Sequence, residues 1–278
     1  MKTNSQMLMN LFHLSRSPVG IKFIKPSELT NNESNPYKAI PYKHFQPVKH
    51  KAYYCWLVKQ ASQGKAFYLT PNNNACETAG WVTGLLPSHH FGNATENIEG
   101  WYRCQTYVDY RVARMIYEQM QPLSVENSEN SENRENACFS ALLIGALEHF
   151  DLDHPPDVVL LMGQPVSVMR MVQSYAAFHG WGSQMKTSGM CGICYEATVQ
   201  PLQLNTLTLS TLCSGTRFYA KWGVHEMAGG IPYAQLHTLL EGALLTMGPC
   251  ETDSVKEHLS LHLADKHKTY ALRPSYFK

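Results

Sequence analysis

The sequence predicts an α/β or α+β protein, a mixed sheet with flanking helices, and two patterns carry that reading. Two short apolar runs, Pro18 to Phe23 (PVGIKF) and Asp157 to Met162 (DVVLLM), have strand character. Each is followed, at different distances, by a helical pattern that closes on a glycine. With 278 residues the chain can bury a sizeable core, and it reads as a single domain over 1–278.

Taken in order, the first run alternates Val19, Ile21 and Phe23 toward one side, as a half-buried strand does. Pro26 to Lys51 is rich in Asn, Pro and Lys without periodicity and reads as irregular covering structure, with short extended pieces around Tyr37 to Phe45. A helix follows over Cys55 to Gln63, ended by Gly64. Amphipathic spacing predicts further helices at Thr106 to Met120, Cys138 to His149, Pro232 to Met247 and Asp253 to Lys266. Between the first two, Ser124 to Asn136 (residues 124–136) echoes Ser-Glu-Asn with no apolar residue after Val125, so it cannot offset its ordering entropy and reads as a polar, mobile loop. The second run is continuously apolar between Pro155-Pro156 and Gly163, the mark of a strand buried on two faces. Val166 to His179 then forms a helix before Gly180, and Thr198 to Leu212 alternates like β-structure. Val58, Ala61, Gly64 and Cys76 echo Ser174, Ala177, Gly180 and Cys191, which suggests two pseudo-duplicated βα halves.

Composition excludes several functional classes. Lys plus Arg number 23 and Asp plus Glu 22, and a net charge of +1 provides none of the positive field that nucleic-acid binding uses. Charged residues make up 16%, below the roughly 25% of ordinary soluble domains, so the surface is expected to be uncharged-polar. There is no run of about 18 apolar residues for a membrane span. Met1 to Phe12 lacks the continuous apolar stretch of a signal peptide, which points to the cytoplasm. In that reducing compartment the eight cysteines are expected to pack, to bind metal or to act chemically rather than to form disulfides.

The strongest local motif is Gly189-Met-Cys-Gly-Ile-Cys194. Two thiolates at this spacing chelate one metal, and flanking glycines let amides turn toward the sulfurs. A thioredoxin-type dithiol would instead need Cys191 at a helix N-terminus, whereas Tyr195 to Leu202 reads extended. Further cysteines with glycine neighbours stand at Asn74-Ala-Cys76-Glu-Thr-Ala-Gly80 and at Cys213-Ser-Gly215-Thr-Arg217, and Cys55 sits among Tyr53, Tyr54 and Trp56. If the turns converge, Cys55, Cys76, Cys191, Cys194 and Cys213 supply ligands for an iron–sulfur cluster or for zinc, although the spacing matches no compact ferredoxin pattern. Arg217, with Gly189, Gly192 and Gly215, would hold an anionic ligand or cofactor.

Histidines offer less. His258 and His262 share a helix face but lack the intervening glutamate of HExxH zincins, and His89-His90 reads as a turn. His225-Glu226, just before Gly229-Gly230, is an acid/base pair that would serve a cavity mouth. A phosphate loop, a dinucleotide fingerprint, a serine nucleophile elbow and an EF-hand loop are all absent.

Pro18-Val-Gly-Ile-Lys-Phe23, Cys55 with Ala61 and Gly64, Cys76 with Gly80 and Gly84, Pro156 to Leu161 with Pro165 and Met169, the Cys191 turn, and Cys213 to Arg217 through Glu226 to Tyr233 form an ordered set. Together they resemble the uncharacterised domain-of-unknown-function family 169 (DUF169) over roughly Pro18 to Leu245. The resemblance implies no particular reaction. The family's frequency in anaerobic archaea and bacteria is compatible with iron–sulfur chemistry, while the Ser-Glu-Asn loop and the His-containing tail depart from its pattern.

The leading expectation is a cytoplasmic metal- or iron–sulfur-dependent enzyme of oxidoreductase type, acting on a small molecule through a cysteine-lined pocket, with the five cysteines as ligands. A second is a non-catalytic small-molecule or cofactor-binding module whose thiols merely pack. A third is cysteine-nucleophile catalysis, with Cys213 or Cys191 activated by His225 and Glu226 beside it. In each the partner is a small molecule, with neither nucleic acid nor membrane.

Overall fold

A computed structural model describes residues 2–28, 44–87, 110–123 and 138–246. The strands are β1 (Val19–Ile24), β2 (Gln46–Pro47), β3 (Ala66–Leu69), β4 (Ala141–Ala146), β5 (Val158–Gly163), β6 (Thr208–Ser210) and β7 (Met227–Pro232). They form one mixed sheet in the order β2-β3-β4-β1-β5-β7-β6, antiparallel except where β2 runs parallel to β3. The helices are α1 (Lys2–Leu11), α2 (Tyr54–Ala61), α3 (Glu77–Val82), α4 (Tyr110–Gln119), α5 (Pro165–His179), a π-helix over Gly192–Val199, α6 (Gln200–Leu204), α7 (Ser214–Ala220) and α8 (Leu236–Leu245). This is the α/β architecture with a mixed sheet and flanking helices that the sequence predicts.

The two apolar runs lie side by side at the centre of the sheet. Val19 pairs with Leu160 on one edge of β1 and with Ala146 on the other. The period of two then sorts side chains to two cores. Val19, Ile21 and Phe23 join Val158, Leu160, Met162, Leu142 and Ile144 under α2, the π-helix and α7. Val159 and Leu161 face the other way, onto α1, α5 and α8. On that second face Arg170 is buried, and its guanidinium donates to the Ala243 carbonyl, to Thr246 Oγ1 (2.6 Å each) and to the Thr246 carbonyl. These acceptors lie at the C-terminus of α8, where the carbonyls have no intrahelical donor and a cation is favoured.

Three expectations are corrected. Cys138 to His149 is not a helix: its centre is β4, between β1 and β3, followed by a 3-10 turn at Leu147–His149. Ala141-Leu-Leu-Ile-Gly-Ala146 is wholly buried, and a short run buried on all sides has the same apolar signature as strand or as helix. Thr198 to Leu212 is strand only at β6, and Tyr195 to Leu202 is helical, the π-helix running into α6. Within the expected helices at Thr106 to Met120 and Pro232 to Met247 stand α4 and α8, and 106–109 and Met247 lie outside the described residues. Residues 124–136 and Asp253 to Lys266 lie outside the described residues.

Element order repeats in a different phase from the sequence echo. The two-residue β2 and α4 apart, the first half runs β1, α2, β3, α3, β4; the second runs β5, the π-helix with α6, β6, α7, β7, with α5 interposed on the opposite face. The element standing where α2 stands is therefore the helix that starts at Gly192, and α3, which Cys76 caps, has as its counterpart α7, which Cys213 caps. Among the described residues no helix is long and apolar enough to cross a membrane.

Candidate functional site

Three cysteines hold positions fixed by local backbone chemistry. Asn74 Oδ1 accepts from the Cys76 amide (3.1 Å) and its Nδ2 donates to the Cys76 carbonyl (2.8 Å), an Asx turn that presents Cys76 as N-cap of α3. Its Sγ accepts from the Ala79 amide at 3.4 Å. Cys213 caps α7 in the same way, its Sγ accepting from the Thr216 amide at 3.3 Å. Cys191 is the N-cap of the π-helix and adopts left-handed backbone (φ 53°), as does Leu212 (φ 66°) immediately before Cys213. Left-handed conformation in two non-glycine residues is a local strain that surrounding contacts must hold.

Those contacts bring the turns together. A Cβ on Gly192 would lie 2.7 Å from the Cys213 amide nitrogen and from Leu212 Cα, so the CxxC turn rests directly on the Leu212-Cys213 backbone. The thiol of Cys194 donates to that of Cys191. Thr216 Oγ1 stands 3.0 Å from Cys213 Sγ and also hydrogen-bonds Cys55. Contact of the CxxC turn with Leu212-Cys213 brings the segment of Cys191 and Cys194 against that of Cys213, and Cys55, Cys76 and Cys194 pack against the first core. All are free thiols. Among the described residues no three His, Cys, Asp or Glu side chains are disposed as a ready-made metal-ion site.

Burial is the largest cause of the upward shifts at Cys55 and Cys76. It pushes Cys55 up to about 12 and Cys76 still further, the charge of Cys194 adding to each. Cys194 is raised well above its ordinary value by the hydrogen bond it donates to Cys191, then by burial. For Cys191 the bond received from Cys194 acts downward, but burial and neighbouring thiols leave the net shift upward. Cys191 therefore does stand at a helix N-terminus, contrary to the expectation of extended structure after it, and yet its thiol is not acidified. Without a counter-cation these four are protonated thiols at neutral pH.

Beside the thiols lie two residues that sequence reasoning did not single out for a site. Glu196, fully buried on the π-helix, accepts from Thr187 Oγ1 (2.8 Å), the Ser188 amide (2.8 Å) and Ser210 Oγ (2.6 Å). It ties the segment before the CxxC turn to β6, and burial raises its carboxyl. Tyr54 is buried next to Cys55. Thr198 Oγ1 spends its proton on the Ile193 carbonyl (2.6 Å), so Tyr54 donates to Thr198 (2.9 Å). The signal for Glu196 was a lone carboxylate in an apolar run, Ile193 to Val199.

The remaining expected site residues stand elsewhere or are engaged. Arg217 donates to the carbonyls of Gly223, Thr211 (2.8 Å) and Glu226 (3.2 Å), which makes it a clamp on the loop after α7. Glu226 accepts from Arg16 Nε at 3.0 Å and from the Gly223 amide at 2.5 Å, and His225 is exposed in the adjoining turn. Gly189 (φ 70°) has open space where a Cβ would be, and Gly215 lies in α7 close to Cys213 Sγ. Cys138 packs at the edge of the first core. Cys104, Cys250, His89, His90, His258 and His262 lie outside the described residues.

Fold and site together define an α/β protein whose cysteine-bearing turns come from four chain segments, with Cys191 buried and Cys55, Cys76, Cys194 and Cys213 half-buried. The chain belongs to the family DUF169, uncharacterised ArCR, whose model matches residues 7–242. It is similar to the uncharacterized protein MJ0308 of Methanocaldococcus jannaschii, 20% identical over 241 residues that cover 86% of this chain and 92% of the relative. No solved structure matches.

Proposed function

We propose that the chain is a cytoplasmic metal-dependent enzyme of oxidoreductase type, acting on a small molecule, whose thiol group holds an iron–sulfur cluster. The observation that carries this reading is the packing of cysteine turns from separate segments: the turn of Cys191 and Cys194 rests on the Leu212-Cys213 backbone, and Cys55, Cys76 and Cys194 pack against one core. Burying several ionisable thiols together is costly unless a cation compensates them. The N–H donors at Cys76 and Cys213 are of the kind that stabilises thiolates bound to a cluster. A cluster also suits a spread arrangement better than zinc does, because its cysteines bind different irons rather than one centre.

Loading has a defined proton cost. Each thiol must lose its proton to bind the cluster, so uptake releases protons and strengthens with pH. Anaerobic reconstitution with ferrous iron and sulfide is expected to proceed further at about pH 8.5 than at about pH 6.5. Cys76→Ser and Cys213→Ser should each lose most of the bound iron, while Cys138→Ser keeps it. Equal iron in all three variants, measured against protein by chelator assay, would remove the basis of the reading.

A further inference from the structure

A groove of about 470 Å³ opens beside α2 and contains no cysteine. It therefore raises a question separate from the thiol group. Its walls are Trp56, Phe67, Tyr53 and Tyr219, and its rim carries Lys49, His50 and Lys51. Tyr53 and Tyr219 stack at 4.3 Å and 15°, joining the start of α2 to the end of α7. Trp56 and Phe67 stand 6.5 Å apart and tilted by 38°. Trp56 is 39% and Tyr219 41% exposed, so both present ring surface to the groove. No acidic side chain lines the groove, and among the described residues Lys49 and Lys51 have no ion-pair partner.

Aromatic faces and unpaired cations in one concavity select a ligand with two properties. The π-faces take a flat ring, which stacks with little entropic loss. The lysines take an anionic group, and the volume falls in the range of roughly 300–1,000 Å³ typical of small-molecule sites. We infer that this groove binds a planar aromatic anion of the nucleotide type, its ring against Trp56 and the Tyr53–Tyr219 pair and its acid group toward Lys49, His50 and Lys51. The inference goes beyond the metal reading and does not depend on it.

FMN, riboflavin and AMP, titrated into the full chain at low salt, test it. FMN and riboflavin binding are read by flavin fluorescence, and AMP binding by isothermal titration calorimetry. FMN should bind saturably, and riboflavin, which has the same ring without the phosphate, about fivefold or more weakly. Trp56→Ala should weaken FMN about tenfold, and Trp56→Phe, which keeps a stacking face, by less. The double variant Lys49→Ala/Lys51→Ala should weaken FMN and leave riboflavin unchanged. These side chains are exposed, and circular dichroism verifies that the variants fold. Absence of saturable binding by FMN and AMP below about 1 mM overturns the proposal. Equal affinity for FMN and riboflavin, or FMN binding indifferent to Trp56→Ala, overturns it as well.

Discussion

Gly230→Ala is expected to cost at least about 3 kcal/mol of folding stability, because the added methyl meets backbone rather than a side chain that can rotate away. Gly230 lies on β7 beneath the π-helix, and a Cβ there would fall well inside the van der Waals radius of the Ala197 carbonyl oxygen. Neither element yields easily: β7 is paired on two edges, with β5 and β6. The Ala197 carbonyl belongs to the helix that begins at the CxxC turn, so relief by movement would also displace Cys191 and Cys194. For a protein of this size the melting temperature should fall by roughly 6 °C or more. Gly189→Ala provides the contrast. Its φ of 70° strains an alanine, but nothing lies within 4 Å of the new methyl, so the cost should stay near 1 kcal/mol. Thermal unfolding of the two variants separates the cases, and a Gly230→Ala midpoint within about 1 °C of the parent would show that sheet and π-helix are not in close approach.

Glu196→Ala is expected to have a second effect of about 3 kcal/mol, by leaving three donors without their acceptor: Thr187 Oγ1, the Ser188 amide and Ser210 Oγ. Glu196→Gln keeps an acceptor for the first two and should cost less. The glutamine variant also isolates a pH dependence. Burial raises the Glu196 carboxyl above its ordinary 4.5, so the folded protein holds this proton more tightly than the unfolded chain does. The corresponding stability is complete below the unfolded carboxyl's range and is lost as pH rises through the higher folded value. Wild-type unfolding free energy, measured in urea upward from about pH 4, should therefore decline more steeply than that of Glu196→Gln over this window. Asp157, likewise raised by burial, contributes the same slope to both proteins and cancels in the comparison. Identical pH profiles would mean that Glu196 is hydrated in the folded protein.

Much of this architecture was legible because its signals are local. Val19, Ile21 and Phe23 alternate, Asp157 to Met162 runs apolar between breakers, and Gly64 and Gly180 follow the helices they help to close, with φ of 90° and 56°. What failed depended on tertiary surroundings. Ala141 to Ala146 is buried by sheet neighbours and by Phe45, and the residues alone carry no periodicity to distinguish strand from helix. The π-helix at Gly192 depends on a left-handed Cys191 and on contact with Leu212-Cys213, and neither has a signature in the chain. Close approach of the CxxC turn to Leu212-Cys213 is where a glycine is needed, since a Cβ on Gly192 would meet that backbone. Occupation of Arg217 by three carbonyls could not be anticipated, because a basic residue near a cysteine reads the same whether it faces a ligand or a loop.

The most direct test of a buried thiolate centre is the visible spectrum of wild-type protein purified without oxygen, recorded together with its iron, zinc and acid-labile sulfide content. Broad visible absorbance accompanied by iron and sulfide in stoichiometric amounts is the predicted result. A colourless protein that stays free of metal after reconstitution with ferrous iron and sulfide would contradict the account.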